Sequence, residues 1–362
     1  MKGFTIFGAV VLAILAFLVA EFFYLQAGIR DSAIVRRTFT DIKIIEDINK
    51  MEFLKRSQKT SLEFSFHKTY EFLGKRGGFS DLSQIPSYDC IPYWQNYTTK
   101  NLPDIKQNME KTSASFFGVY MNVFRDAAMT IPSYEILIED VQPPYPSTLN
   151  IQAKSSDNIE LNFEKVNIIE KSNFNYQVPI GLFQEYQVAK ENFIDTDIIK
   201  KTVDDSINDV INSNGLLSTG SKTDCGCPSE DAVFTEANKI SFTDAKNLIR
   251  NNIINKISEL QQNVNDKLIG TDIEIKIEPD VISEITPHCV DTLGDSCGDD
   301  KNLCTRTCNF DFTGFSNVMI TVENKNVKYL IGNELKTAPL KFRIIDGSLT
   351  IIPSTNGCTE NI

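Results

Sequence analysis

Histidine is scarce in this chain: two residues in 362, His67 and His288. There is one tryptophan, Trp94, no proline before Pro86, and no Cys-x-x-Cys pair anywhere. Each shortage excludes something. Two histidines leave little material for imidazole catalysis or a histidine-ligated metal. The short cysteine spacings that do occur, Cys225-x-Cys227 and Cys304-x-x-x-Cys308, suit neither a dithiol redox motif nor a zinc ribbon. Positive charge is also short, with 36 Lys and Arg against 48 Asp and Glu, a formal net charge of -12. A surface of that sign repels phosphate backbones, and no Lys/Arg stripe interrupts it, so nucleic acid is not expected as a partner. HExxH, GxSxG, P-loop and post-strand GxGxxG motifs are all missing, so no enzyme and no cofactor is signalled.

What the chain does have is an uncharged opening. Phe4 to Ala20 carry no charge, and Phe22, Phe23, Tyr24 and Leu25 continue the apolar character past Glu21. As a helix rising about 1.5 Å per residue, Phe4–Leu25 matches a hydrocarbon core of roughly 30 Å. Three readings follow: a secretory signal cleaved after Ala20, an uncleaved signal anchor, or a prepilin-type leader. Leu18 at the minus-three position fits the small-x-small rule of signal cleavage poorly.

Lys2-Gly3 followed by Phe4-Thr5 resembles the processing signature of type IV pilins and pseudopilins, where a short basic leader ends in glycine and a Phe-led helix begins. Phe23-Tyr24-Leu25-Gln26-Ala27-Gly28-Ile29 is similar to a segment of some minor pilins. Gly8 stands where major pilins place a glutamate, which points to a minor or archaeal type. The resemblance covers about the first 35 residues. It implies cleavage between Gly3 and Phe4, and an assembly helix using Phe7, Val11, Ile14, Phe17, Leu18 and Glu21. That helix would sit in the membrane before assembly and in a filament core afterwards, with other pilins or copies of itself as partners. The alternatives are a single-pass adhesin or receptor that does not polymerise, and a tethered extracellular enzyme.

Seven of the eight cysteines fall after residue 220: Cys225, Cys227, Cys289, Cys297, Cys304, Cys308 and Cys358, with Cys90 apart. An even count in loops of an exported chain reads as four disulfides, with zinc as the lesser alternative. Asn96-Tyr97-Thr98 is a glycosylation sequon in a polar stretch. Asp291, Asp295, Asp299 and Asp300 cluster near Cys297; their spacing departs from a calcium loop, so a solvated loop is the plainer reading.

The expected fold class is α+β: a long N-terminal hydrophobic helix, then a disulfide-bonded head with an antiparallel sheet and several helices. Residues 1–30 form the leader and core helix, 31–76 an amphipathic stalk, and 77–362 the head, with a sub-boundary near 131 and cysteine-rich loops at 216–230 and 288–311. Thr60-x-x-Glu63 reads as a capping box restarting a helix that ends at Gly74-Lys75-Arg76-Gly77-Gly78. Residues 79–102 read as loop. Apolar periodicity predicts helices from Pro103 to about Met129, from Thr196 to Ser213, and from Thr243 to Leu268. Strand alternation predicts Ile273–Glu278 stopped by Pro279, Val318–Val322 hairpinned onto Val327–Ile331, and Leu340–Ile345 turning at Asp346-Gly347 into Leu349–Ile352.

Overall fold

The computed structural model describes residues 2–96, 99–123, 129–130, 132–140, 148–162, 167–170, 172–179, 181–216, 219–220, 232–234, 239–291, 306–331 and 334–347. Side chains within 2–16, 31–41 and 287–309 lie outside that description.

The chain opens with α1 (Lys2–Lys75), a single helix of 74 residues. It contains no proline, and no glycine between Gly28 and Gly74, so nothing breaks the backbone ladder. The capping box expected at Thr60 is therefore absent. Thr60 sits mid-helix with its Oγ1 donating back to the Arg56 carbonyl at 3.4 Å, and Glu63 instead accepts from the Tyr176 hydroxyl at 3.0 Å. The helix stops where glycines permit: Gly78 N–H reaches the Leu73 carbonyl at 2.7 Å and Gly77 N–H the Gly74 carbonyl at 3.4 Å. Gly77 holds φ +56°, the left-handed residue that this Schellman closure requires.

Strands β1 (Ser87–Tyr88), β2 (Ile91–Asn96) and β3 (Thr99–Lys100) replace the loop expected at 79–102. Helix α2 (Ile105–Asn122) follows, N-capped by Asp104, whose carboxylate accepts from Gln107 N–H at 3.0 Å. Next come β4 (Met129–Thr130), β5 (Tyr134–Ile138), β6 (Thr148–Ser155), β7 (Ile159–Asn162), β8 (Asn167–Glu170) and β9 (Phe174–Pro179). Helix α3 (Gly181–Ala189), continued by a π-helical turn Lys190–Ile194, was not signalled by periodicity. Helix α4 (Ile198–Ser213), β10 (Thr219–Gly220), β11 (Ala232–Phe234), β12 (Lys239–Ser241) and α5 (Phe242–Lys267) lead to two long strands, β13 (Ile273–Asp291) and β14 (Arg306–Asn324). The described chain closes with β15 (Tyr329–Ile331), β16 (Glu334–Lys336) and β17 (Leu340–Gly347).

The main sheet runs β1-β2-β17-β14, with β13 and β10 also on β14, and β3 on β2. All its pairings are antiparallel except β2 with β17. Three local expectations fail here for one reason, that long-range pairing outweighs local turn chemistry. Strand β13 runs straight through Pro279, which lies opposite Val318; β14 is its sole described partner, and an open edge tolerates a residue without N–H. Strand β17, not Val327–Ile331, takes the other edge of β14. Asp346 and Gly347 continue that ladder opposite Ser316 and Phe315 instead of turning, and 348–362 lie outside the described residues.

The outer half of α1 is embedded in the head. Met51, Leu54, Leu62, Phe66, Tyr70 and Leu73 recur at helical spacing, all buried, against α2, β9, β15 and β17. Gln58 falls on the same face and is satisfied by donating to the Tyr134 hydroxyl at 2.7 Å. Burying six such side chains contributes on the order of 10 kcal/mol before entropy is counted. On the other side, α4 and α5 pack on β13 and β14 through Ile199, Val203, Ile207, Ile249, Ile253 and Ile257. Trp94 locks three elements: its ring stacks on Phe342 at 4.0 Å and its Nε1 donates to the Gly77 carbonyl at 2.9 Å.

The class is α+β, but two expected parts of it are corrected. Among the described residues no helix is long and apolar enough to cross a membrane, against the membrane helix expected over residues 1–30. The run of α1 with described side chains, Phe17–Gly28, rises only about 18 Å and holds Glu21. The four-bridge head is corrected as well: no disulfide has both its cysteines among the described side chains. Cys90 is disulfide-bonded, and the described head is held by its apolar core and backbone ladders.

Candidate functional site

Two features of α1 stand out, one in each half. Toward the N-terminus the described side chains are apolar and exposed on every side of the helix. Phe17 is 66% exposed, Tyr24 83%, and Leu18, Val19, Phe22, Phe23 and Leu25 are also in the open. A helix apolar all round ordinarily lies in a protein interior or another apolar medium, so this segment has a surface that is not yet covered. Glu21 is the one charge within Phe17–Gly28.

The second feature begins where α1 enters the head. A groove of about 520 Å³ runs between α1 and the end of α2, walled by Phe53, Phe64, Tyr120 and Val123. Phe53 and Val123 are exposed, and the Phe64 and Tyr120 rings lie 6.4 Å apart at 52°. Arg56 lies in this groove and is exposed, and no described carboxylate pairs with it. Ile42 and Ile45, also exposed, fall on the same side of the helix at 100° per residue.

A buried cluster of ionisable groups lies deeper, where α1, α3 and β15 meet. The Tyr70 hydroxyl donates to the Pro179 carbonyl. Glu185 is buried and accepts from Asn324 N–H at 2.8 Å. Burial pushes its carboxyl up to about 8, against the pull of the Asn324 and Leu340 N–H groups. Desolvation likewise raises both Tyr70 and Tyr329. His67 is half-buried; its Nδ1 accepts from Leu330 N–H at 2.8 Å, and burial lowers its pKa, so it is a neutral cap on β15. None of these groups lines the groove. Sequence reading passed over Glu185 because a glutamate in a short helix with no clear apolar stripe gives no sign of burial.

The expected site residues scatter. Gly3, Phe4, Phe7, Val11 and Ile14 lie in the α1 backbone with side chains outside the described set, while Phe17, Leu18 and Glu21 are exposed on it. Asp89 (φ +52°) and Cys90 (φ +58°) form the two-residue turn between β1 and β2, both left-handed as a type I′ hairpin demands. Cys289 and Cys308 stand opposite each other in the β13–β14 ladder, with side chains outside the described set. Cys225, Cys227, Cys297, Cys304 and Cys358, and the acidic residues after Asp291, lie outside the described residues. Asn96 ends β2, half-buried, with its Oδ1 buried and lacking a hydrogen-bond partner. His288 lies in β13. Among the described residues no three His, Cys, Asp or Glu side chains group as a metal site.

No family model matches the chain, and no curated protein and no solved structure proves similar to it, so the likeness to pilins rests on its first 35 residues alone.

Proposed function

We propose that the protein is a pilin-like structural subunit of a cell-surface filament, with α1 packing against α1 of other copies and the head facing outward. The observation that carries this reading is the exposed apolar stretch Phe17–Leu25 on a helix whose other half is anchored in the head. Covering Phe17, Phe22, Phe23, Tyr24 and Leu25 makes on the order of 10 kcal/mol available, enough to drive association. The Lys2-Gly3-Phe4 signature supports the same reading, as does the packing of the outer half of α1 on the head. The role is structural, and no residue is assigned a catalytic part.

The test is mass spectrometry of the N-terminus together with electron microscopy of protein taken from cells. The reading expects a mature chain beginning at Phe4 within filaments. A retained Met1 in protein that never forms fibres would overturn it.

A further inference from the structure

The groove and the exposed segment of α1 are complementary in length and in charge. Along α1, Phe53–Phe64 and Phe17–Gly28 are twelve residues each, a rise of about 18 Å. Within the first span the groove is lined by Phe53, Arg56, Ser57, Thr60, Ser61 and Phe64. Within the second, Phe17, Glu21, Tyr24 and Gly28 fall on one stripe at spacings of three and four. Each span has a single charge on that stripe, positive in the first and negative in the second, and neither Arg56 nor Glu21 has a described ion-pair partner. Aligning the two charges brings Phe17, Tyr24 and Gly28 each within one residue, about 1.5 Å, of the level of Phe53, Thr60 and Phe64. A Cβ at Gly28 would meet nothing within 4 Å, so this position leaves room for the bulky ring opposite.

We propose that the groove between α1 and α2 is the docking site for the Phe17–Gly28 segment of a second copy of this chain, the two helices parallel and Glu21 of one copy paired with Arg56 of the other. This rests on the reading of the protein as a self-assembling subunit and names the contact that builds the assembly. Glu21 and Arg56 are 35 residues apart, so neighbouring copies are offset by about 53 Å along the helix axis. The contact is heterologous. The second copy's own Arg56 groove stays open for a third, and the assembly grows without closing. An antiparallel arrangement would satisfy both pairs at once and stop at a dimer.

Charge reversal tests this on the full chain, by sedimentation over a concentration series. Glu21→Lys alone and Arg56→Glu alone each place like charges in the groove, and each raises the concentration needed for half-assembly roughly tenfold or more. A one-to-one mixture of the two variants matches every junction, because each variant's altered residue meets the other's, and it restores assemblies larger than a dimer. The double variant Glu21→Lys/Arg56→Glu does the same. Restoration only as far as dimers would overturn the parallel arrangement. If all variants assemble like the unaltered chain, the docking site is wrong while self-assembly stands. If the unaltered chain itself stays monomeric, the underlying reading fails too.

Discussion

The ring of Tyr70 on α1 lies flat against that of Tyr329 on β15, 4.4 Å between centroids with 22° between planes. The long helix is thus fastened to the head through a buried aromatic pair, close to the hydroxyl–carbonyl bond from Tyr70 to Pro179. The contact lies in the outer half of α1, which the head buries, and leaves Phe17–Gly28 in the open.

Removing that fastening separates packing from hydrogen bonding. Tyr70→Ala is expected to cost about 3–5 kcal/mol through the cavity it leaves. Tyr70→Phe keeps the stack and strands the Pro179 carbonyl, at about 1–2 kcal/mol. Chemical denaturation of the two variants reads both values. Equal losses would show that the ring contact contributes little.

Glu185 makes stability depend on pH with a definite sign. Its carboxyl is near 8 in the fold and near 4.5 when unfolded, so between those values the folded state binds more protons and stability falls as pH rises. His67 acts oppositely below 6.5, since burial lowers its folded pKa and stability rises with pH there. The decline is therefore clearest between about pH 6.5 and 8, and amounts to a few kcal/mol at most. Glu185→Gln should flatten it. A wild-type profile with no slope in that window would show that Glu185 titrates normally.

The two candidate caps are told apart by substitution. Asp104→Ala removes an observed N-cap and is expected to cost about 1 kcal/mol. Thr60→Ala, mid-helix, is expected to change stability by less than about 0.5 kcal/mol. Thermal melts of the pair decide it, and the reverse order would mean that α1 is two helices.

Glycines give a second contrast. Gly77→Ala meets both the positive φ and the Pro92 ring, 2.5 Å from where a Cβ would stand, and is expected to cost about 2 kcal/mol or more. Gly118→Ala in α2 meets open space and is expected to stabilise by about 0.5–1 kcal/mol. Melting temperatures moving in opposite directions bear this out, and a Gly77 variant as stable as wild type contradicts it.

Which features could be read in advance follows from whether a signal was local. Ile199, Val203, Ile207 and Val210 repeat at helical spacing, and α4 lies almost where they place it; α5 follows Ile249 to Val264 in the same way. Gly74 to Gly78 end α1 as their left-handed freedom allows. Pro279, Asp346 and Gly347 misled, because their local preferences are those of stops and turns while β14 supplies a partner strand from elsewhere in the chain. Of the proposed assembly surface, Phe17, Leu18 and Glu21 were legible as an apolar run with one charge. The Arg56 groove was not, since it exists only where α2 comes to lie beside α1, a contact between residues more than fifty positions apart.

The account stands on the exposed N-terminal half of α1 being covered by other copies of itself. Sedimentation velocity of the full chain beside a variant carrying Phe17→Ser, Phe23→Ser and Leu25→Ser measures this most directly. The expected result is large, concentration-dependent assemblies for the unaltered chain and folded monomers for the variant, with the same melting temperature for the head. Monomers from both, or equal assemblies from both, would contradict it.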